Sequence, residues 1–353
     1  MKSKNIKNVL FVAPFMESFI KGDIKILSRH FNVITNIYPW KNKKFTLWYM
    51  LQQLWLIVFN MYKLDAIVVS FGGYWALIPA MMGRVLGIPV YIIVHGTDCC
   101  SIPSINYGML RKQPLKMVCA WSYSLSTMIL PVSDSLKHTI NTYYDSADKN
   151  EKTQGILHFF PKLKTSFRTI FNGLDPKFWI KDSTNTNRSE NSFITVLSEA
   201  QYKRKGGDLI VKAAKKFPNA TFYIAGTSTI DLDVAPPDNV IWLGRLSPEE
   251  LRMYYRKSTF YLQLSIFEGF GCALCEAMLT ECIPIGSSAN MIPEIIGDTG
   301  FILKKRDIRE LESILNHVLS ISDKAKMGKM ARDKVIKDYT FDIRERKLLT
   351  ILT

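Results

Sequence analysis

Long apolar runs, clustered histidines and cysteine pairs spaced through loops are missing from this chain, and acidic residues are in short supply. The most hydrophobic stretch, Phe45 to Phe59, is broken by Gln52 and Gln53. It falls short of the roughly 20 residues that cross a bilayer. The opening segment, MKSKNIKNVLFVAPF, is basic but has only a short apolar run before charge returns, so no secretory signal is expected. The six cysteines, at 99, 100, 119, 272, 275 and 282, lie in or beside apolar stretches. That placement favours reduced thiols in a cytoplasmic protein over a disulfide scaffold. Cys272 and Cys275 form a lone C-x-x-C without a second pair or neighbouring histidines, so they read as small core residues and no metal site is expected.

The deficit of acids leaves 31 Asp+Glu against 46 Lys+Arg, a net charge of +15 over 353 residues. It is unevenly placed: residues 1–175 hold 20 basic and 9 acidic side chains, residues 176–353 hold 26 and 22. An excess concentrated in the first half calls for an acidic partner, which can be nucleic acid, an anionic membrane or a phosphorylated small molecule. The remaining composition, 47% hydrophobic and 22% charged, is that of an ordinary globular protein. The length suits two domains.

What is present is a repeated alternation. Apolar, β-branched runs at 8–13, 31–37, 65–70, 89–94, 128–132 and 168–171 are separated by more than a hairpin's length, as in a parallel sheet buried on both faces. A polar stretch follows, and the pattern restarts at 193–197, 221–225, 240–243, 259–264, 282–286 and 300–303. The expected organisation is an α/β protein with an N-terminal domain over 1–175, a linker over 176–192, a second domain over 193–335, and a C-terminal helix over 336–353 that packs back toward the first domain. Two doubly wound domains of this kind are expected to face each other across a cleft, with ligands beyond the carboxyl ends of the strands.

The stretch Ser265 to Met278, SIFEGFGCALCEAM, carries the most chemistry. Glu268 follows a strand, Gly269-Phe270-Gly271 makes a turn, and Cys272 to Leu279 reads as a helix whose opening offers N–H groups and positive dipole to a diphosphate. Glu276 lies one turn into that helix, where a carboxylate can accept hydrogen bonds from both hydroxyls of a ribose. Asp231-Leu232-Asp233 has the form of a metal-binding D-x-D, but a solvent-exposed loop is the expected reading.

Glu268 and Glu276, in E-x7-E spacing around G-F-G, resemble the signature of the retaining GT-B glycosyltransferases of family 4, the group 1 glycosyl transferases. The resemblance implies that Glu268 and the amides of Gly269, Phe270, Gly271 and Cys272 hold the donor sugar, and that Glu276 holds the nucleotide ribose. Lys205-Gly206-Gly207-Asp208 resembles the family's K-G-x-D, whose Lys neutralises the donor phosphates. Ala200 stands where the family has an Arg, and Arg204 or Lys203 is the expected substitute. Ala225-Gly226 and Gly244-Arg245 resemble the turns that bracket the base. Ile170 to Asp175 resembles the element that ends the first domain. Val94-His95-Gly96-Thr97-Asp98 matches the family's H-G-x-D; it implies that His95 orients the donor sugar and that Asp98, with Glu17 and Ser18, lies on the acceptor side.

The implied reaction moves a hexose-type sugar from a nucleotide sugar to a glycan or lipid-linked acceptor, with no metal or cofactor, in bacterial cell-surface polysaccharide synthesis. Phe71-Gly72-Gly73 reads either as a tight turn or as a second phosphate cradle. Lys41, Lys43 and Lys44 precede an aromatic helix whose polar residues, Thr46, Gln53 and Asn60, form a narrow stripe. That helix is either buried in the domain or lies at the cytoplasmic face of an anionic membrane. Nucleic acid is not an expected partner. The rival readings are a nucleotide-sugar epimerase of the same fold and a noncatalytic basic binding protein.

Overall fold

The computed structural model describes residues 7–40, 42–146, 148–181, 188–230 and 235–353. The chain forms two compact units, one of Met1–Ile140, Asp148–Gly173 and Phe341–Thr353, the other of Asn141–Ala147 and Leu174–Thr340.

In the first unit the elements are β1 (Asn8–Ala13), α1 (Ser18–Ser28), β2 (Asn32–Ile37), α2 (Thr46–Asn60), β3 (Ala66–Ser70), α3 (Tyr74–Leu86), β4 (Val90–Val94), α4 (Leu115–Leu125) and β5 (Met128–Pro131). A short pair, β6 (Thr139–Ile140) and β7 (Thr153–Gln154), α5 (Ile156–Phe159) and β8 (Ser166–Phe167) follow. The six-stranded sheet has the order β2-β1-β3-β4-β5-β8, all parallel. Every residue of β3 and β4 is buried, which is why these runs carry no polar alternation. The strand expected over 168–171 ends instead at Phe167. Arg168 and Ile170 still donate their N–H groups to Ile129 and Pro131 of β5, but Pro131 has no N–H to return, so the ladder is one-sided there.

The second unit contains β9 (Ser189–Val196), α6 (Gly207–Ala214), β10 (Thr221–Ala225), β11 (Val240–Gly244), α7 (Pro248–Lys257), β12 (Ser258–Gln263), α8 (Cys272–Leu279), β13 (Ile283–Ser287), α9 (Ile292–Ile296), β14 (Phe301–Leu303), α10 (Ile308–Leu319) and α11 (Lys324–Asp338). Its sheet is also parallel, in the order β11-β10-β9-β12-β13-β14. The stacked rings of Phe193, Phe222 and Phe260 join its three central strands. β9 starts at Ser189, four residues before its apolar run, because Ser192 pairs with Thr221 of β10. Residues 141–147 cross over to this unit: the Asn141 amide donates to the Ile266 carbonyl (2.7 Å) while its oxygen accepts from the N–H groups of Tyr143 and Tyr144.

The last helix, α12 (Phe341–Leu352), returns to the first unit, where Arg344 makes a buried two-pronged bridge to Asp23 of α1 at 2.5 and 2.7 Å. The same guanidinium donates to the carbonyls of Ile170 and Phe171. Gly173 packs so closely on Phe341 that a Cβ would lie 2.8 Å from its Cα. The segment from Ile170 to Gly173 is thus a socket for α12.

Helix α2 is turned inside out. Gln53, from its polar stripe, is wholly buried and donates to the Asn36 side chain and the Trp75 carbonyl. Leu47, Trp48, Leu51, Trp55, Val58 and Phe59 are exposed, Leu47 and Phe59 each by 71%. The reading of a helix buried in its domain is therefore overturned: the buried polar anchor fixes which side of the helix faces in.

Candidate functional site

Both sheets reverse direction of strand order once, between β1 and β3 in the first unit and between β9 and β12 in the second. Loops beyond the carboxyl ends of those strands form the crevices in which such sheets bind ligands. In the second unit these loops carry Arg204 and Lys205 after β9, and Glu268 to Gly271 after β12.

Glu268 is held by a relay that the motif did not disclose. Its Oε2 accepts from the Gln263 amide (2.9 Å) and the Ser265 hydroxyl (3.2 Å). Gln263 is itself buried and oriented by the Tyr261 hydroxyl, which donates to its oxygen at 2.9 Å. The backbone N–H of Glu268 donates to Asn290. Tyr261 and Gln263 stand at alternate positions of β12, and Ser265 continues the alternation just beyond its end. Polar side chains at successive same-face positions of a buried strand are the signal that could have found them.

Arg204, expected at the donor phosphates, is buried against this turn: its guanidinium donates to the Phe267 carbonyl (2.8 Å) and lies 3.9 Å from Glu268. Its own carbonyl accepts from Ile266. Lys205 donates to the Val196 carbonyl (3.1 Å), and its charge interacts with Glu268, Cys272 and Glu276. Burial lowers the Lys205 pKa, and Glu268 opposes that. The ammonium, both acids and the start of α8 therefore converge.

Gly271 caps α8 at φ +109°, a backbone state open to glycine, and turns the chain from strand end into helix. Glu276 sits on the first turns of α8, where burial pushes its carboxyl up to about 7 against the pull of Lys205 and Tyr255. The Tyr255 hydroxyl is buried beside it without an aligned hydrogen bond among the described residues. Gly226 follows β10 so closely on β9 that a Cβ would lie 2.4 Å from the Leu197 carbonyl oxygen, and it donates to Gly244. Arg245, next in the chain, is exposed. Cys272 is partly exposed and Cys275 buried, and neither is in a disulfide. Asp231 to Asp233 lie outside the described residues.

In the first unit His95 follows β4, with its Nε2 2.9 Å from the Ser70 hydroxyl and its ring clustered with those of Phe19 (4.7 Å) and Phe71 (4.3 Å). Phe15 packs on Phe71 in turn. Burial and the nearby Arg344 lower the His95 pKa well below its usual value, so the imidazole is neutral at pH 7. Its Nδ1 is buried without a partner among the described residues. Phe71 holds φ +65°, a strained state for a bulky residue, beside this ring.

Asp98 is not exposed to a ligand. Its carboxylate is fully buried and accepts the N–H groups of Gly72 (2.9 Å), His95 and Gly96 (each 3.0 Å). Burial raises its pKa while those N–H groups oppose the rise. Asp98 thus shapes the loop that carries His95. Because the Gly72 N–H is committed to Asp98 and a Cβ there would meet the Tyr123 hydroxyl at 2.1 Å, the Phe71–Gly73 segment is a packed turn and not a phosphate cradle. Glu17 and Ser18 are exposed at the start of α1, beyond β1.

Comparison with known proteins agrees with this geometry. Residues 180–334 match the family described as glycosyl transferases group 1. The alpha-galactosylglucosyldiacylglycerol synthase of Streptococcus pneumoniae is 31% identical over 109 residues, which are 28% of this chain and 29% of that protein. The chain thus aligns with less than a third of that relative's length. Among solved structures, the sucrose-phosphate synthase of Thermosynechococcus elongatus superposes with a TM-score of 0.72 at 12% identity, covering 98% of both chains. HepE of Anabaena, in complex with UDP and glucose, gives 0.70 at 13% identity, covering 98% of this chain and 99% of that one. These likenesses carry the fold, a GT-B pair of Rossmann-like units. The match to the glycosyl transferases group 1 family covers residues 180–334, the segment that holds the paired acids and Lys205.

Proposed function

We propose that the protein is a retaining glycosyltransferase of family 4 that moves a hexose-type sugar from a nucleotide diphosphate sugar to a hydroxyl of a glycan or lipid-linked acceptor. The observation that carries this reading is the convergence of Lys205, Glu268 and Glu276 at the opening of α8. Breaking the bond between the anomeric carbon and the diphosphate leaves the electron pair on the phosphate oxygen. Lys205 and the N–H groups at the start of α8 stabilise that charge by fixed position, without a metal. The acceptor oxygen bonds to the anomeric carbon on the face the diphosphate leaves, and its proton passes to the departing phosphate. Glu268, held by Gln263 and Ser265, orients the sugar; Glu276, once ionised, accepts from the ribose hydroxyls. His95, neutral and flanked by aromatic rings, is suited to a sugar hydroxyl through Nδ1.

The structural neighbour crystallised with UDP and glucose supports a nucleotide-sugar donor. The relative named as a glycosyldiacylglycerol synthase supports a lipid-borne acceptor, and with it peripheral attachment at the cytoplasmic face of a bacterial membrane during cell-surface glycan assembly. The test is a panel of nucleotide sugars followed by release of nucleotide diphosphate, for the wild type and for Glu268→Ala, Glu276→Ala, Lys205→Ala and His95→Ala. Losses of at least about a hundredfold are expected for the first three. Unchanged turnover in all four variants would sink the assignment, and return of an isomerised nucleotide sugar would make the protein an epimerase.

A further inference from the structure

We infer that the outward face of α2, continued by the exposed residues of α3 and α4, is a surface that inserts into the interface of an anionic lipid bilayer. This rests on, and deepens, the reading of a membrane-borne acceptor. Three observations carry it.

The first is the inverted helix. Gln53 and Ile57 face inward, while Leu47, Trp48, Leu51, Trp55, Val58, Phe59 and, just beyond the helix, Tyr62 face out at steps of three and four. The second is continuity. α2 packs against α3 and α3 against α4, and each neighbour adds an exposed apolar pair one turn apart, Met81 with Val85 and Met117 with Trp121. A soluble monomer rarely exposes so many large apolar side chains on neighbouring helices. At 15 residues α2 is too short to cross a bilayer, and no described helix of the chain is long and apolar enough to do so.

The third is charge. Residues 24–133 hold ten Lys and Arg but only two acids, Asp65 and Asp98. Both acids are turned inward onto backbone amides, Asp65 onto Lys7 and Asn8, Asp98 onto Gly72, His95 and Gly96. Lys44, Lys63, Arg84 and Lys112 are exposed on or next to the three helices. An apolar, aromatic face edged by cations, on helices whose described residues include no acid, complements a bilayer with acidic headgroups. A second copy of the same face would bring these cations together.

The experiment is flotation of the full chain with phosphatidylcholine vesicles, with and without phosphatidylglycerol. Partition is expected only with phosphatidylglycerol and should weaken with salt. Trp55→Glu/Phe59→Glu should lower it at least about tenfold, while Met330→Glu, an exposed apolar position of the second unit, leaves it unchanged. If the charged variant fails to fold, quenching by brominated lipid replaces it: quenching should fall in Trp48→Phe/Trp55→Phe. Equal partition by the charged variant, absence of wild-type partition, or a wild-type dimer that the variant splits would each overturn the inference. Nucleotide release is followed in parallel without vesicles and should survive Trp55→Glu/Phe59→Glu. Vesicle binding by a chain that releases no nucleotide would remove the transferase reading and leave the surface in place.

Discussion

Glu276 shows what burying a carboxyl costs at the level of one side chain. Its carboxyl is raised to about 7 because burial disfavours the charge more than Lys205 and Tyr255 favour it. In the unfolded chain it ionises at the usual, lower value. The folded state therefore holds its proton more tightly, and the free protein loses stability as pH rises from the unfolded value through about 7. Glu276→Gln is expected to stabilise the ligand-free protein by about 1–3 kcal/mol at pH 8 and to change it little at pH 4. The same substitution should weaken nucleotide binding and abolish its decline below pH 7. Thermal melts and nucleotide titrations at both pH values check this; a variant less stable than wild type at pH 8 would contradict it. Gln263→Leu tests the relay beneath Glu268: kcat should fall about tenfold while the fold persists, as circular dichroism would show. Glu268 and Glu276 were legible because their spacing around G-F-G is a local pattern. Arg204 was legible as a cation but not as a buttress, since its burial depends on where the Phe267 carbonyl lies.

At the scale of elements, the socket for α12 is the most consequential contact the sequence hides. Asp23 and Arg344 are 321 residues apart, and each is nearly inaccessible. Removing one partner strands the other as a buried charge, so Asp23→Ala should cost about 3–5 kcal/mol, read from denaturant unfolding. Replacing both, as Asp23→Leu/Arg344→Met, should cost less than either single change. Asn141→Ala, which frees the Ile266 carbonyl, should slow turnover more than it lowers stability, because that carbonyl belongs to the loop leading into Glu268. Apart from β8, strand positions were readable from apolar runs, since a strand buried on both faces leaves no alternative pattern. The orientation of α2 was not: a helix apolar nearly all round has no preferred face until Asn36 and Trp75 supply partners for Gln53.

For the whole molecule the division into units redistributes the charge. The first unit holds 23 basic and 9 acidic residues, the second 23 and 22. Nearly all of the excess thus resides in the unit with the exposed aromatic face, and the unit with the proposed diphosphate site is close to balanced. Hydrogen exchange in the presence of the preferred nucleotide diphosphate should accordingly slow most over 198–207 and 264–276. Protection concentrated instead at 95–98 would move the donor to the other unit.

The sequence alone determined two doubly wound units, the family resemblance and the acid pair, because strand burial, turn glycines and a strand-turn-helix motif are encoded within a few residues. Tertiary structure decided the rest. Asp98 became a loop-shaping carboxylate, Phe71–Gly73 a packed turn, and α2 an outward-facing apolar helix, since each depends on partners that only folding brings within hydrogen-bonding reach.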